Sequence, residues 1–478
     1  MSRRRFVAST TSAAVLAGSA STGWGLDLDF HLSVARAARE LSPNPKVLRL
    51  LMPDGCMANV QPIIDKFYQL AGISVETREV PVDEINSQLM LDSLGGIGDY
   101  DLALPATFGM PDLAANNVIR PITEFAERYE PKGFRDGILY SIGDSFDQEL
   151  YGFQTDGDTY LMFYHKDWLD DPNEQHAYED RFGQPLQIPL TWDELDQQMA
   201  FFHRPEENRF GGALFRTPRY LAWEWWVRFH SKGVWPLSAE IEPQIASDEG
   251  VSALEDMIRA SQSLYPQAQS AGIFENWRHF GEGNTYCNIG WGGSQKYLNS
   301  SKSSMRGRMV YGPTPCGLID GKHISIPYFN WGWNYVVTSI SEQPELAYLF
   351  ALFASTSEMS TASVRAKDGF FDPFRPEHYE DPTIQKIYSP EFLKVHESSL
   401  RSSIPDLYLA NQSEYFRVLS QWLDHAVNGG MDPKLALDKA ATQWSVLNLR
   451  AGRDLQTQRW LALRAKYPLN VQEALRDI

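Results

Sequence analysis

Three groups of residues have the types and spacing to do chemistry. Asp156 and Asp158 stand two apart in YGFQTDGDTYLMFYHKDWL, residues 151–169. Carboxylate pairs about 5–10 Å apart can hydrolyse glycosides. Arg216 and Arg219 stand three apart, after an apolar strand-like run at 212–215. Guanidinium groups grip carboxylate, sulfate or phosphate with paired hydrogen bonds, and they also fork onto adjacent hydroxyls. Nine of the 14 tryptophans fall between Trp192 and Trp333. Flat rings complement the C–H faces of sugars while polar neighbours hold the hydroxyls.

Each group has a plainer explanation. The two aspartates fit a solvated surface turn. The arginines fit the surface, or one of them pairs with Glu224. A single tryptophan is more often core than cleft. Trp291 in NIGWGGSQKY and Trp331 in YFNWGWNYVV are different, because flanking glycines thin the packing around them. These two are expected in a cleft, with Tyr220, Trp223 and Trp333 as further lining. Hydrolysis is not expected. The aspartates sit on a flexible elbow, no second acidic partner has an apolar setting, and GxSxG and HExxH are absent.

The elements that must position these residues can be read from pattern. Residues 154–159 are polar around Gly157, while 159–164 are aromatic and β-branched, as in a buried strand. A strand that turns through a polar elbow and continues as another strand suits a chain crossing between two lobes. Upstream, an apolar strand at 47–52 ends in Pro53-Asp54-Gly55. A helix follows with Val60, Ile63, Ile64, Phe67 and Leu70 on one face, stopped by Gly72. A strand at 73–80, a helix at 82–94 and a strand at 100–104 complete β-α-β-α-β, which demands a parallel sheet. Ligands of such sheets meet the carboxyl ends of strands, here Asp54-Gly55 and 105–109. Thr191-Trp192-Asp193-Glu194 is a capping box, with Leu190 and Leu195 placed for a hydrophobic staple.

Composition sets the outer limits. At 478 residues, 43% hydrophobic and 22% charged, the chain fits a soluble protein of two or three domains. Its 43 basic against 61 acidic residues argue against a nucleic-acid partner. No GxGxxG or GxxxxGK[ST] lies at a strand-to-helix turn, so no nucleotide cofactor is indicated. Cys56, Cys287 and Cys316 have no CxxC spacing, and neither a disulfide framework nor a metal site is expected. Ser2-Arg3-Arg4-Arg5 precedes an uncharged run too polar to span a membrane. With the small residues at 18–20 it reads as a twin-arginine-type export signal at 1–20, followed by a linker or docked arm at 21–44.

From residue 46 to about 450 the ordered segments resemble the solute-binding proteins of sugar ABC transporters, the maltose-binding-like family. The resemblance is carried by the first strand with PDG, by YDLALPATFGMPDLAANNVIRPI, by the 151–169 crossing and by PLTWDELDQQM. It continues through NIGWGGS, GWNYVVTSISEQPELAYLFALFAS and the helix start at Asn428-Gly429-Gly430-Met431-Asp432-Pro433. It implies an α/β, two-lobed periplasmic binding protein fold of type II, with a ligand cleft between lobes joined by hinge crossings. Lobe I would be 45–154 and 314–366, lobe II 157–308 and 374–478, with hinges near 154–158, 309–313 and 367–373. Ligand contacts would fall on Asp54, Thr107, Phe108 and Asp158, on Arg216, Arg219 and Tyr220, and on Trp291, Trp331 and Trp333. The implied function is periplasmic capture of a sugar or short oligosaccharide by lobe closure and delivery to a permease. The partners would be permease subunits and the twin-arginine export machinery, the chain itself being a monomer without cofactor. An anionic sugar or a polyol is the alternative cargo, because two arginines are unusual for a neutral sugar. A stand-alone receptor without a transporter is the alternative role.

Overall fold

The computed structural model describes residues 29–42, 47–96 and 100–478. The expected export signal at 1–20 lies outside the described residues, as does much of the arm at 21–44. The described part of that arm is a helix, Phe30–Leu41, with Phe30, Val34, Ala35 and Ala38 buried. The Phe30 ring lies 5.7 Å from that of Phe134, so the helix is docked.

Among the described residues nine strands build two main sheets. They are β1 (Leu48–Pro53), β2 (Val75–Val80), β3 (Leu102–Ala103), β4 (Gly152–Gln154) and β5 (Leu161–His165), followed by β6 (Phe210–Ala213), β7 (Thr285–Gly290), β8 (Met309–Pro313) and β9 (Asn334–Val337). The first sheet has the order β2-β1-β3-β9-β4. Its β1, β2 and β3 are parallel, as the alternating pattern requires. The helix between β1 and β2, Met57–Ala71, buries Val60, Ile63, Ile64 and Phe67 along one face. It ends at Gly72 with φ 75°, a left-handed turn that a residue without Cβ makes at little cost. Its Phe67 ring meets Phe350 at 5.2 Å and Phe353 at 5.1 Å, both from helix Pro344–Ala354.

The second sheet has the order β8-β5-β7-β6. Strand β5 is buried along its whole length and runs antiparallel to both β7 and β8. Each sheet carries its own helices, and the molecule is a two-lobed α/β protein. Residues 309–313, placed near a crossing by the sequence, are strand β8. The hairpin that follows pairs Gly317–Ile319 with Lys322–Ile324. Cys316 N–H donates to Leu190 O at 2.7 Å, so this hairpin lies against second-lobe elements. Half of the capping box forms: Glu194 N–H donates to Thr191 Oγ1 at 3.3 Å, while Glu194 Oε2 accepts from Leu190 N–H at 2.7 Å, one residue before the cap. The staple does not, since Leu190 is exposed. Helices Gln412–Val427 and Pro433–Arg450 roof the second lobe, with the Phe416 ring 5.4 Å from Trp226.

All three cysteines are buried and unpaired. No helix among the described residues is long and apolar enough to cross a membrane.

Candidate functional site

Three stretches of chain pass between the sheets side by side. Residues 154–160 run along 328–334: Thr155 N–H donates to Trp333 O at 2.9 Å and Tyr160 N–H to Tyr328 O at 2.8 Å. The third stretch joins through Asp372 N–H, which donates to Asp156 Oδ1 at 2.6 Å. Gly157 sits where all three meet. A Cβ there would overlap Pro373 O and crowd His396. Close approach is the reason for glycine at 157, which has no positive φ.

Beside this junction is a cavity lined by six rings, those of Phe274, Trp277, Trp291, Trp331, Trp333 and Phe370. Val82, Ile273, Gly293 and Asp158 complete the wall. Gly332 has φ 66° and leaves no room for a Cβ beside the Phe329 ring, a kink that sets Trp331 and Trp333 at 64° to each other. Trp331 also meets Trp291 at 6.2 Å and 77°, Trp223 at 5.3 Å and 75°, and Phe108 at 5.6 Å and 88°. Edge-to-face packing of this kind is favourable and rigid. The cavity's free volume is about 40 Å³. The cleft is therefore closed on its own side chains. The indole N–H groups of Trp277 and Trp331 have no partner among the described residues.

Asp158 connects the cavity to a buried acidic knot. Carboxylate oxygens of Asp156, Asp158 and Asp372 all lie within 4.8 Å of one another. Burial pushes all three carboxyls above their ordinary range, and for Asp156 and Asp158 mutual repulsion within the knot adds to it. Backbone donors hold the group in place. Gly157 N–H reaches Asp156 Oδ1 at 2.7 Å, Gly293 N–H reaches Asp372 Oδ2 at 3.0 Å, and Gly332 N–H reaches Asp158 Oδ2 at 3.2 Å. Lys296 is the nearby base, lowered by its own burial. Its ammonium donates to the carbonyls of Ala366 (3.1 Å), Gly369 (2.9 Å) and Phe371 (2.8 Å).

The two arginines part company. Arg216 is 1% exposed and points into the second lobe. Its Nη1 donates to Glu224 Oε2 at 2.6 Å and its Nη2 to Glu224 Oε1 at 3.1 Å, while Nε donates to Ser261 Oγ at 2.6 Å. Arg228 takes the other side of Glu224 at 2.8 Å and grips Asp196. Burial alone would raise the Glu224 carboxyl, but the two guanidiniums hold it below its usual value. Arg216 is thus a structural residue, and its expected role as a ligand contact is corrected. Arg219 is half-exposed and bridges to Asp83 Oδ2 at 2.7 Å, where Tyr220 OH also donates at 3.1 Å. Asp83 belongs to the turn after β2, so this contact joins the lobes across the cleft mouth.

Other expectations change with the structure: Tyr220, Trp223 and Asp156 do not line the cavity, since Tyr220 donates to Asp83, Trp223 packs against Trp331 and Asp156 is turned into the acidic knot. Thr107 is fully buried, its hydroxyl between Gln154 and Asn334, and it cannot touch a ligand in this conformation. Phe108 backs Trp331 instead of lining the cavity. Asp54 is exposed and accepts from Val82 N–H at 3.0 Å, holding the turn that carries Asp83.

Residues 62–388 match the family described as bacterial extracellular solute-binding protein. The chain belongs to that family. No curated protein matches it by sequence. Among solved structures it is similar to an ABC transporter solute-binding protein of Agrobacterium radiobacter K84 in complex with ribitol. That likeness has 18% identity over 84% of this chain and 98% of the other, with a TM-score of 0.71. Maltose-bound MalE3 of T. maritima gives 18% identity, 84% and 100% coverage, and a TM-score of 0.70. The GacH receptor of Streptomyces glaucescens, solved unliganded and with acarbose, gives 16%, 84% and 99%, and 0.67.

Sequence reasoning missed several parts of this solute-binding protein's cleft. Phe274, Trp277 and Phe370 line the cavity without any local mark beyond their type. Asp372 lies in a proline-rich stretch that reads as a turn. Gly55 offered a usable signal, because a Cβ there would strike the Phe370 ring.

Proposed function

We propose that this protein is the substrate-capturing component of an ABC import system, taking a sugar, polyol or similar small solute by lobe closure. The observation that carries the reading is an aromatic cavity with one carboxylate, set where three crossings join two lobes. Contacts from both lobes exist together only in the closed form, so a ligand that makes them shifts the population toward closure. Hinge closure is the established motion of periplasmic binding proteins. The sugar and polyol complexes of similar structures support the ligand size. Asp158, Trp291, Trp331 and Trp333 would contact the solute, Tyr220, Arg219 and Asp83 would latch the mouth, and Asp156 would act at the hinge. The lobes would divide near 154–158 and 367–373, with the middle crossing at 325–333. Burial of Arg216 and the acidic knot speak against an anionic cargo. No catalysis is proposed, since the carboxylates are clustered with one another and not set on opposite sides of a substrate gap.

The test is calorimetric titration of the purified chain with ribitol, mannitol, maltose and maltotriose, with small-angle X-ray scattering before and after. One solute should bind at a single site and reduce the radius of gyration without product formation. Turnover of a glycoside, or no compaction with any bound solute, would refute the reading. Export by the twin-arginine route, delivery to permease subunits and a monomeric state complete the proposal. Changing Arg3 and Arg4 together to lysine should leave precursor in the cytoplasm, and undiminished exported protein would sink that part.

A further inference from the structure

We infer that the solute taken by this cleft carries a compact ammonium group, seated between the tryptophan faces over Asp158. The inference rests on the binding-protein reading above and narrows its ligand. The first ground is what the wall lacks. Among the described residues Asp158 is its single ionisable side chain, and no hydroxyl, amide or basic side chain of theirs lines the cavity. A neutral sugar or polyol would bury several hydroxyls here with only Asp158 and the indole N–H groups of Trp277 and Trp331 to serve them. An ammonium group makes no such demand, because ring faces and one carboxylate satisfy it.

The second ground is ring geometry. Trp291 and Trp333 stand at 77° and 64° to Trp331, with centroids 6.2 and 5.8 Å away. A sugar platform needs one flat face. Rings turned toward each other at steep angles make a box, which suits a cation drawn to the negative faces of aromatic rings from several sides. The third ground is charge. Asp158 belongs to a knot of three carboxyl groups whose other two members lie outside the cavity wall, and the base described beside them, Lys296, donates to three backbone carbonyls. No basic side chain pairs with Asp158 among the described residues. A ligand cation would supply the missing positive charge. The narrow free space fits a small head group, and the unpartnered indole N–H groups of Trp277 and Trp331 can serve an acceptor on the rest of the molecule.

Two sources share this chemistry, an amino sugar and a small alkylammonium alcohol. Each is tested against a neutral counterpart by calorimetric titration of the purified chain: glucosamine against glucose, and choline against 3,3-dimethylbutan-1-ol. The charged member of one pair should bind at least tenfold tighter, and which pair shows it identifies the source. Asp158→Asn should bring that ratio near one. If Asp158→Asn does not fold, rising salt should weaken the charged member of the wild-type pair and leave the neutral one unchanged. Equal or tighter binding of the neutral member in both pairs overturns the inference, and so does absence of binding by both amines. Either result leaves the binding-protein reading to be judged separately, by compaction with ribitol, mannitol or maltose.

Discussion

Replacing Arg216 and Arg219 in turn by alanine separates a structural guanidinium from one at the cleft mouth. Arg216→Ala removes both hydrogen bonds to Glu224 and the one to Ser261, at a site 1% exposed. Glu224 keeps only Arg228, and an arginine-sized space opens in the second lobe. Breaking a buried ion pair by removing one partner costs about 3–5 kcal/mol. For a cooperative unit of about 250 residues that lowers the melting temperature by roughly 6–10 °C. Arg219→Ala removes one half-exposed contact with Asp83, and exposed pairs contribute about 0–1 kcal/mol, so its melting temperature should stay near wild type. Differential scanning calorimetry reads both, and titration with the bound solute reads affinity per folded molecule. Arg216→Ala should bind normally once folded. Wild-type melting together with abolished binding in Arg216→Ala would refute the argument and return that residue to the ligand.

Gly157→Ala should destabilise by about 1–3 kcal/mol in urea unfolding, because a Cβ overlaps the backbone of the third crossing; an unchanged midpoint would count against the tight junction. Trp331→Ala should weaken solute binding by about 1–3 kcal/mol while lowering the melting temperature less than Trp225→Ala, a fully buried control; the reverse order would make Trp331 core. His230 is held neutral by burial, its pKa lowered from 6.5 to about 4, with Trp226 O and Tyr467 OH beside its ring. A depressed folded pKa gives stability that is present above pH 6.5 and lost as pH falls toward 4, since the unfolded chain takes up a proton the folded one refuses. The stability gap between wild type and His230→Gln should therefore narrow across that window, and a constant gap would contradict the assignment.

Local pattern carried most of the fold. The apolar stripe at Val60, Ile63, Ile64 and Phe67, the stop at Gly72 and the aromatic run into β5 are all short-range signals, and each marks the element it belongs to. The glycines around Trp291 and Trp331 were equally local, and both rings line the cavity. What could not be read depends on partners far along the chain. Arg216 and Arg219 look alike in sequence, and only the position of Glu224, Ser261 and Asp83 in space separates them. Asp372 reaches Asp156 from 216 positions away, and nothing in its own turn-rich stretch marks that meeting. Thr107 looked available at a strand end, yet the late arrival of β9 seals it in.

That arrival has a consequence for how the chain is made. The four strands of the second sheet all lie between Leu161 and Pro313, so the ribosome delivers them as one uninterrupted batch. The first sheet is different: β9, at Asn334–Val337, must slot between β3 and β4, which emerge long before it. Until then β3 and β4 have unpaired edges with a strand-wide gap between them, and exposed edges invite wrong pairing. Pairing distant segments is also slow, because the loop between them must close first. The sheet whose strands begin to emerge first is therefore the sheet completed last, at Val337 against Pro313.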